Sequence, residues 1–329
     1  MAIQCKAKRK RLSLAISIAL ATGAVYANFA PQLELSDLNG ANGIVINGSS
    51  ARAEAGTSVS AAGDINGDGI DDLIIGAPYA TTAENYAGAS YVLFGSNQGL
   101  PSPLNLSELN GSNGFAINGS STYGYSGTSV SAAGDINGDG IDDLVIGAPG
   151  ASPIENYSGA SYVVFGSGQP WAGSLNLSSL DGSNGFVLNG VSAYDESGTS
   201  VSAAGDINGD GIDDLVIGAP YAGAGASYVV FGSEGPWTGS LNLSSLDGSN
   251  GFVINGVTIG DSMGGAVSTA GDINGDGIDD LVIGAIFAGA VGNYTGAAYV
   301  VFGSRQPWAG SLDLSSLNGA NGFAINGVM

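Results

Sequence analysis

The chain has 329 residues, 57 of them Gly, with one Cys and no His; 29 Asp and Glu stand against 7 Lys and Arg, a formal net charge of −22. There is no basic patch to displace counterions from a nucleic-acid backbone or to hold anionic lipid. Without His, a Ser-His-Asp triad, a His–zinc centre and a His general base are all excluded. At 44% apolar and 11% charged it is too apolar for an acidic disordered polymer.

Residues 1–27 read as a secretory signal peptide. A basic KAKRKR run precedes the apolar stretch Leu12–Ala21, and Val25 and Ala27 offer small side chains for cleavage. The apolar stretch is shorter than the about 20 residues that span a bilayer, so no membrane insertion is expected after signal removal. Cys5 leaves with the signal. Residues 28–37 form a short segment, and a repeat region fills 38–329. Beyond the signal only Arg52 and Arg305 face all 29 acids, a balance of −27. The expected address is secreted or cell-surface.

GDINGDGIDDL occurs four times, its first Asp at Asp64, Asp135, Asp206 and Asp272. YVxFGS recurs with it, and NGxxxNG occurs five times, around Asn47, Asn118, Asn189, Asn255 and Asn326. The repeat units are about 49–119, 120–190, 191–256 and 257–327. In the first, β-like runs at Thr57–Gly63, Leu73–Ala77, Ala89–Gly95 and Phe115–Asn118 are rich in Val, Ile, Tyr and Phe and bounded by turn residues. Helical spacing is absent, and the LNLSEL-type segments are expected to form one turn at most. The predicted fold is all-β, with β-propeller blades of four antiparallel strands, four repeats and an extra terminal strand. A β-solenoid is the alternative. The five fourth-strand segments point to an incomplete ring or a piece of a longer chain, with open edges that favour association.

Variation between the units falls in the 2–3 connection and in the 4–1 link, which leave a blade on the face opposite the Asp loop. Variable loops on a rigid scaffold are where recognition is placed. Eight Tyr lie in or beside these variable segments (Tyr79, Tyr86, Tyr123, Tyr125, Tyr157, Tyr194, Tyr221, Tyr294). They offer stacking surfaces for a protein or glycan ligand, although each alone reads as ordinary loop chemistry. Trp171, Trp237 and Trp308 lie in PWxGSLxLSSL segments and are expected to cover a blade edge.

The Asp loop places oxygen donors at positions 1, 3, 5, 7 (a backbone carbonyl) and 9, with Gly at 6 for the turn. Such a pattern suits a flexible Ca²⁺ cage. The ligand sets are Asp64, Asn66, Asp68, Ile70 and Asp72; Asp135, Asn137, Asp139, Ile141 and Asp143; Asp206, Asn208, Asp210, Ile212 and Asp214; and Asp272, Asn274, Asp276, Ile278 and Asp280. Position 12 is Ile75, Ile146, Ile217 and Ile283, where an EF-hand needs a bidentate Glu. The bland alternative is a turn whose side chains cap their own backbone. Three carboxylates in one loop repel by about 1 kcal/mol per pair in water, a cost that about four Ca²⁺ per chain would remove.

SVSAAGDINGDGIDDL followed by Gly76-Ala77-Pro78, Gly147-Ala148-Pro149 or Gly218-Ala219-Pro220 resembles the FG-GAP repeat of integrin alpha-subunit propellers and bacterial integrin-like proteins. The resemblance implies a seven-bladed propeller and Ca²⁺ on the same five positions of each loop. The chain departs from it at Ala55-Gly56, Ser126-Gly127, Ser197-Gly198 and Gly264-Gly265, where Phe-Gly is expected, and at Gly284-Ala285-Ile286. Four Asp loops also leave closure of a seven-bladed ring open. The expected function is that of a calcium-binding propeller for adhesion or ligand recognition, without catalysis. The alternatives are a module accompanying a secreted hydrolase, since FG-GAP repeats also resemble the propeller part of secreted phospholipases, and a structural spacer in a larger surface protein. Outside the loops the adjacent acids Asp195 and Glu196 read as a solvated pair.

Overall fold

The computed structural model describes residues 35–328 apart from 41, 83 and 290–293. The signal-peptide reading of 1–27 lies outside the described residues. The chain divides between Leu38 and Asn39; of the first unit only Leu35–Leu38 are described, with a 3-10 turn at Leu35–Asp37. The second unit, from Asn39 onward, holds all four repeats.

Every regular element of the second unit is a short strand or a single 3-10 turn. Each repeat builds four antiparallel strands joined in sequence order. Repeat 1 uses Ser58–Gly63, Asp72–Ala77, Ala89–Leu93 and Gly114–Asn118, repeat 2 Ser129–Gly134, Asp143–Ala148, Ala160–Val164 and Gly185–Asn189. Repeat 3 uses Ser200–Gly205, Asp214–Ala219, Ala226–Val230 and Gly251–Asn255, and repeat 4 Met263–Gly271, Asp280–Ala285, Ala297–Val301 and Gly322–Asn326. The second and third strands are buried on both faces in repeats 2 and 3, which is why DLVIGA and ASYVV read as continuous apolar runs and not as alternating ones.

The LNLSEL-type segments depart from expectation. Each opens with a short strand before its 3-10 turn, and that strand pairs in parallel with the fourth strand of the preceding repeat. Ser174–Asn176 joins Gly114–Asn118, Ser240–Asn242 joins Gly185–Asn189, and Ser311–Asp313 joins Gly251–Asn255. Three sheets therefore have five strands and the last has four. The extra terminal strand is the same device: Ile46–Asn47 lies parallel to Leu104–Asn105 of repeat 1. A side-chain amide bond repeats at each such joint, Asn118 Nδ2 donating to Asn176 Oδ1 at 3.1 Å, Asn189 Nδ2 to Asn242 Oδ1 at 2.9 Å and Asn255 Nδ2 to Asp313 Oδ1 at 3.0 Å.

The apolar core lies between repeats. Phe115, Ile117 and Ile65 of repeat 1 pack with Val130, Leu144 and Ile146 of repeat 2, and the same set recurs between repeats 2 and 3 and between 3 and 4. The three Trp seal these joints. Trp171 stacks on Phe115 of the preceding repeat at 4.2 Å between ring centroids, Trp237 on Phe186 at 4.3 Å and Trp308 on Phe252 at 4.1 Å. Each fully buried Phe contributes about 1.5–3 kcal/mol of transfer free energy, so neighbouring repeats are held chiefly by this interface.

Candidate metal centre: the Asp loops

Each loop connects the first and second strands of a sheet. The first strand ends in a register irregularity before a Gly at positive φ: Gly63, Gly134, Gly205 and Gly271, at +67°, +69°, +67° and +63°. Position 9 is the first residue of the second strand, so the strand pairing itself fixes Asp72, Asp143, Asp214 and Asp280.

Positions 1, 3 and 5 organise the loop through its own amides. Asp64 accepts the N–H of Asp68 at 2.9 Å and of Gly69 at 2.8 Å. Asn66 Oδ1 accepts the Asp68 N–H, and Asp68 Oδ1 accepts the Ile70 N–H, both at 2.9 Å. The other three loops repeat this pattern within 0.1 Å. These are the self-capping bonds of the bland reading. Among the described residues, no three acidic side chains are gathered as a ready metal-holding group. The structure thus brings the five donors of each loop into one turn while committing much of their hydrogen-bonding capacity to backbone N–H groups.

Position 9 is different in kind. Asp72, Asp143, Asp214 and Asp280 are buried. One oxygen of each accepts a distant N–H: Gly95 at 2.7 Å, Gly166 at 2.8 Å, Gly232 at 2.8 Å and Gly303 at 2.9 Å. In loop 1 the second oxygen, Asp72 Oδ2, is buried with no partner. Burial pushes the carboxyls of Asp143 and Asp214 up to about 8 and that of Asp72 up to about 6; donated backbone N–H bonds oppose the rise, and the carboxylates at positions 5 and 1 of the same loop add to it. Three carboxylates, one desolvated, therefore share one turn with no basic side chain within it.

Two neighbours of the loops were not foreseen. The Asp at position 8 was not assigned a role, yet it reaches into the preceding repeat. Asp142 Oδ2 accepts the Asp64 N–H at 2.9 Å, Asp213 Oδ2 accepts that of Asp135 at 3.0 Å, and Asp279 Oδ2 accepts that of Asp206 at 3.1 Å. The carboxylate fills the space beside the preceding Gly: a Cβ on Gly63, Gly134 or Gly205 would lie 2.2 to 2.4 Å from it. The available signal was the first Asp of IDDL, identical in all four copies at a position that donates nothing to the loop's own donor set. Arg305 also sits across the third loop, its Cγ 2.5 Å from where a Cβ on Gly209 would be, and Nη2 donates to the Gly277 carbonyl of the fourth loop at 3.3 Å.

On the other side of the sheets, the 2–3 connection of one repeat bonds to the 4–1 link that comes after it. The Tyr123 N–H donates to Asn85 O at 2.8 Å, and that of Tyr194 to Asn156 O at 2.9 Å. Tyr79, Tyr86, Tyr123 and Tyr125 form one cluster with centroid separations from 5.5 to 6.5 Å. Tyr157 stacks on Tyr194 at 6.0 Å. Tyr86, Tyr123, Tyr125, Tyr157 and Tyr194 all hold φ between +49° and +65°, a conformation that costs an L-residue about 1–2 kcal/mol. The Tyr grouping was not visible from single residues. Nor is Asp195 a solvated acid: it is buried and accepts the Ser192 N–H at 3.0 Å, and burial raises its carboxyl above the usual range.

No helix of the described residues is long and apolar enough to cross a membrane. Comparison with known families matches the FG-GAP repeat at residues 55–93, 126–164, 197–230 and 263–301. Phosphatidylinositol-glycan-specific phospholipase D of Bos taurus is 35% identical over 164 residues, which is 49% of this chain and 18% of that protein. Integrin alpha pat-2 of Caenorhabditis elegans is 30% identical over 268 residues, 79% of this chain and 20% of that protein. Integrin alpha-PS2 of Drosophila melanogaster is 28% identical over 273 residues, 80% of this chain and 16% of that protein. The chain thus spans about a fifth of the length of the curated relatives it matches. The four matched stretches each run from the first strand, or just before it, through the third strand of one repeat, and this chain carries four FG-GAP repeats similar to those of integrin alpha subunits.

Proposed function

We propose that this chain is a secreted or surface-displayed, non-catalytic propeller module that binds about four Ca²⁺ and presents a recognition face. The observation that carries the metal reading is the buried position-9 carboxylate. Asp72 Oδ2 is desolvated without a partner, and the carboxylates at positions 1 and 5 oppose its ionisation. A cation held by Asp64, Asn66, Asp68, the Ile70 carbonyl and Asp72 would supply the missing partner and cancel that repulsion. In the other three loops the second position-9 oxygen already accepts the N–H of Ile136, Ile207 or Ile273 at 2.9 to 3.1 Å, and a cation on the equivalent residues would relieve only the crowding of the three carboxylates. Hard oxygen donors in a flexible nine-residue turn suit Ca²⁺ better than Mg²⁺, which keeps its water and demands octahedral geometry.

Each site filled at about 100 times its dissociation constant would add about 2.7 kcal/mol to folding. Calcium titration is therefore expected to find about four sites, and EDTA to lower the melting temperature. A melting temperature indifferent to EDTA refutes the reading.

The clustered tyrosines on the opposite face support recognition of a protein or glycan by stacking. The adhesion role rests on the integrin relatives and is an analogy at the level of the fold. A ring completed to seven blades belongs to the same reading. The phospholipase relatives favour the second reading, a module beside a hydrolase, because they match the repeats at the higher identity. A glycan array and a cell-binding assay, set against a hydrolase screen, separate the two.

A further inference from the structure

The two ends of the repeat array carry opposite halves of one joint, and we propose that a second copy of this chain docks there head to tail. The three interior joints define what each half requires. The leading half gives an Ile after the loop Asp and a Phe and an aliphatic residue on the fourth strand. At the joints these are Ile65, Phe115 and Ile117; Ile136, Phe186 and Leu188; and Ile207, Phe252 and Ile254, all fully buried. The trailing half gives a Val on its first strand and a Leu on its second: Val130 with Leu144 and Val201 with Leu215 are at most 5% exposed, and at the third joint Val267 is partly buried beside the fully buried Leu281.

At the ends the same positions are uncovered. In repeat 4, Ile273 is 56% exposed, Phe323 37% and Ile325 54%; in repeat 1, Val59 is 66% exposed and Leu73 39%. The polar parts match as well. Asp71 is exposed. Gly271, whose counterparts Gly63, Gly134 and Gly205 each receive a position-8 Asp, faces open space. Docking would bring Asp71 of one copy onto the Asp272 N–H of another, the bond that Asp142, Asp213 and Asp279 make within the chain. The contact is heterologous, so it builds a closed ring or a filament and not an isologous dimer.

Repeat 1 differs from the interior halves in two ways. Leu100 stands where the others carry Trp, and Ile46–Asn47 already lies on the edge of Leu104–Asn105. That strand is held by two ladder pairs, against three at each interior joint. Its GIVING sequence is of the same type as GFAING of the incoming fourth strand. The incoming strand would therefore replace it.

Docking at these faces does not depend on calcium, so it stands or falls apart from the metal reading. Sedimentation equilibrium of the full chain at about 0.15 M salt, where charge repulsion between copies is screened beyond about 8 Å, should show mass rising with concentration. Ile325→Asp and Val59→Asp change exposed side chains, so circular dichroism should be unaltered while each alone returns the chain to monomer. Burying an unpaired charge is expected to weaken association by roughly tenfold or more. Mixed one to one, the two variants each keep one intact end and should form a dimer and nothing larger. A wild-type monomer at all concentrations overturns the proposal and leaves these faces to further repeats. Association that survives either substitution, or a mixture that stays monomeric, overturns it equally.

Discussion

Replacing Gly134 by Ala and, separately, Gly271 by Ala isolates the inter-repeat clamp from the backbone strain that accompanies it. The two glycines occupy the same place in the repeat, with φ of +69° and +63°. Ala in that region costs about 1–2 kcal/mol wherever it is placed. The surroundings differ: a Cβ on Gly134 would lie 2.2 Å from Asp213 Oδ2, whereas a Cβ on Gly271 meets nothing within 4 Å. Gly134→Ala must therefore push Asp213 off the Asp135 N–H, a 3.0 Å bond to an ionised acceptor worth about 1.5–3 kcal/mol. The expected totals are about 2.5–5 kcal/mol for Gly134→Ala and about 1–2 kcal/mol for Gly271→Ala. Urea unfolding at one fixed calcium concentration reads both, since a bound ion would otherwise shift the comparison. A double-mutant cycle sharpens it: the Asp213 Cβ also lies 2.7 Å from the added Cβ, so in an Asp213→Gly background Gly134→Ala should cost no more than Gly271→Ala. Equal costs in the wild-type background, or a cost unchanged by Asp213→Gly, would refute the clamp.

The same geometry sets three other outcomes. Asp143 and Asp214 are raised to about 8, so in metal-free protein they favour folding fully below the unfolded value near 4 and lose that contribution as pH rises through about 8. The melting temperature in EDTA should therefore fall from about pH 5 to pH 8. Calcium requires both ionised, so its binding at pH 7 should release protons, and a calorimetric heat independent of buffer would contradict this. Phe186→Ala, which removes the stack on Trp237, should cost about 3–5 kcal/mol, whereas Phe323→Ala in the monomer should cost less than about 1 kcal/mol, as surface changes do; similar losses would mean that the joint is not the core. Arg305→Ala removes the cation lying across the third loop and bonded to the fourth, and at low salt it should tighten calcium by a few-fold, in line with about 1 kcal/mol for a screened pair. Weaker binding in a chelator competition would show that Arg305 supports the loops.

Much of the fold was legible because its determinants are local. Val, Ile and Tyr runs bounded by Gly and Asp mark the strands of each repeat, and the structure places Ser58–Gly63 and Ala89–Leu93 within two residues of the runs read from sequence. The Asp loop was legible for the same reason, since its turn is set by neighbours a few residues apart, as the Asp64-to-Asp68 and Asp64-to-Gly69 bonds show. The short strand Ser174–Asn176 was missed. Three residues carry too little alternation to announce a strand, and its partner, Gly114–Asn118, lies about 60 residues earlier in the chain.

By itself the sequence determined the repeat, the antiparallel order within it, the turn of each Asp loop and the concentration of acid there. Only the tertiary structure decided which repeat lends a strand to which, that the position-8 Asp belongs to its neighbour's loop, that four tyrosines meet, and that the two ends expose complementary faces. The physical reason is one of range. Turn chemistry and pleat periodicity act over a few residues, while an edge strand, a buried carboxylate or an open face is defined by what packs against it from another repeat.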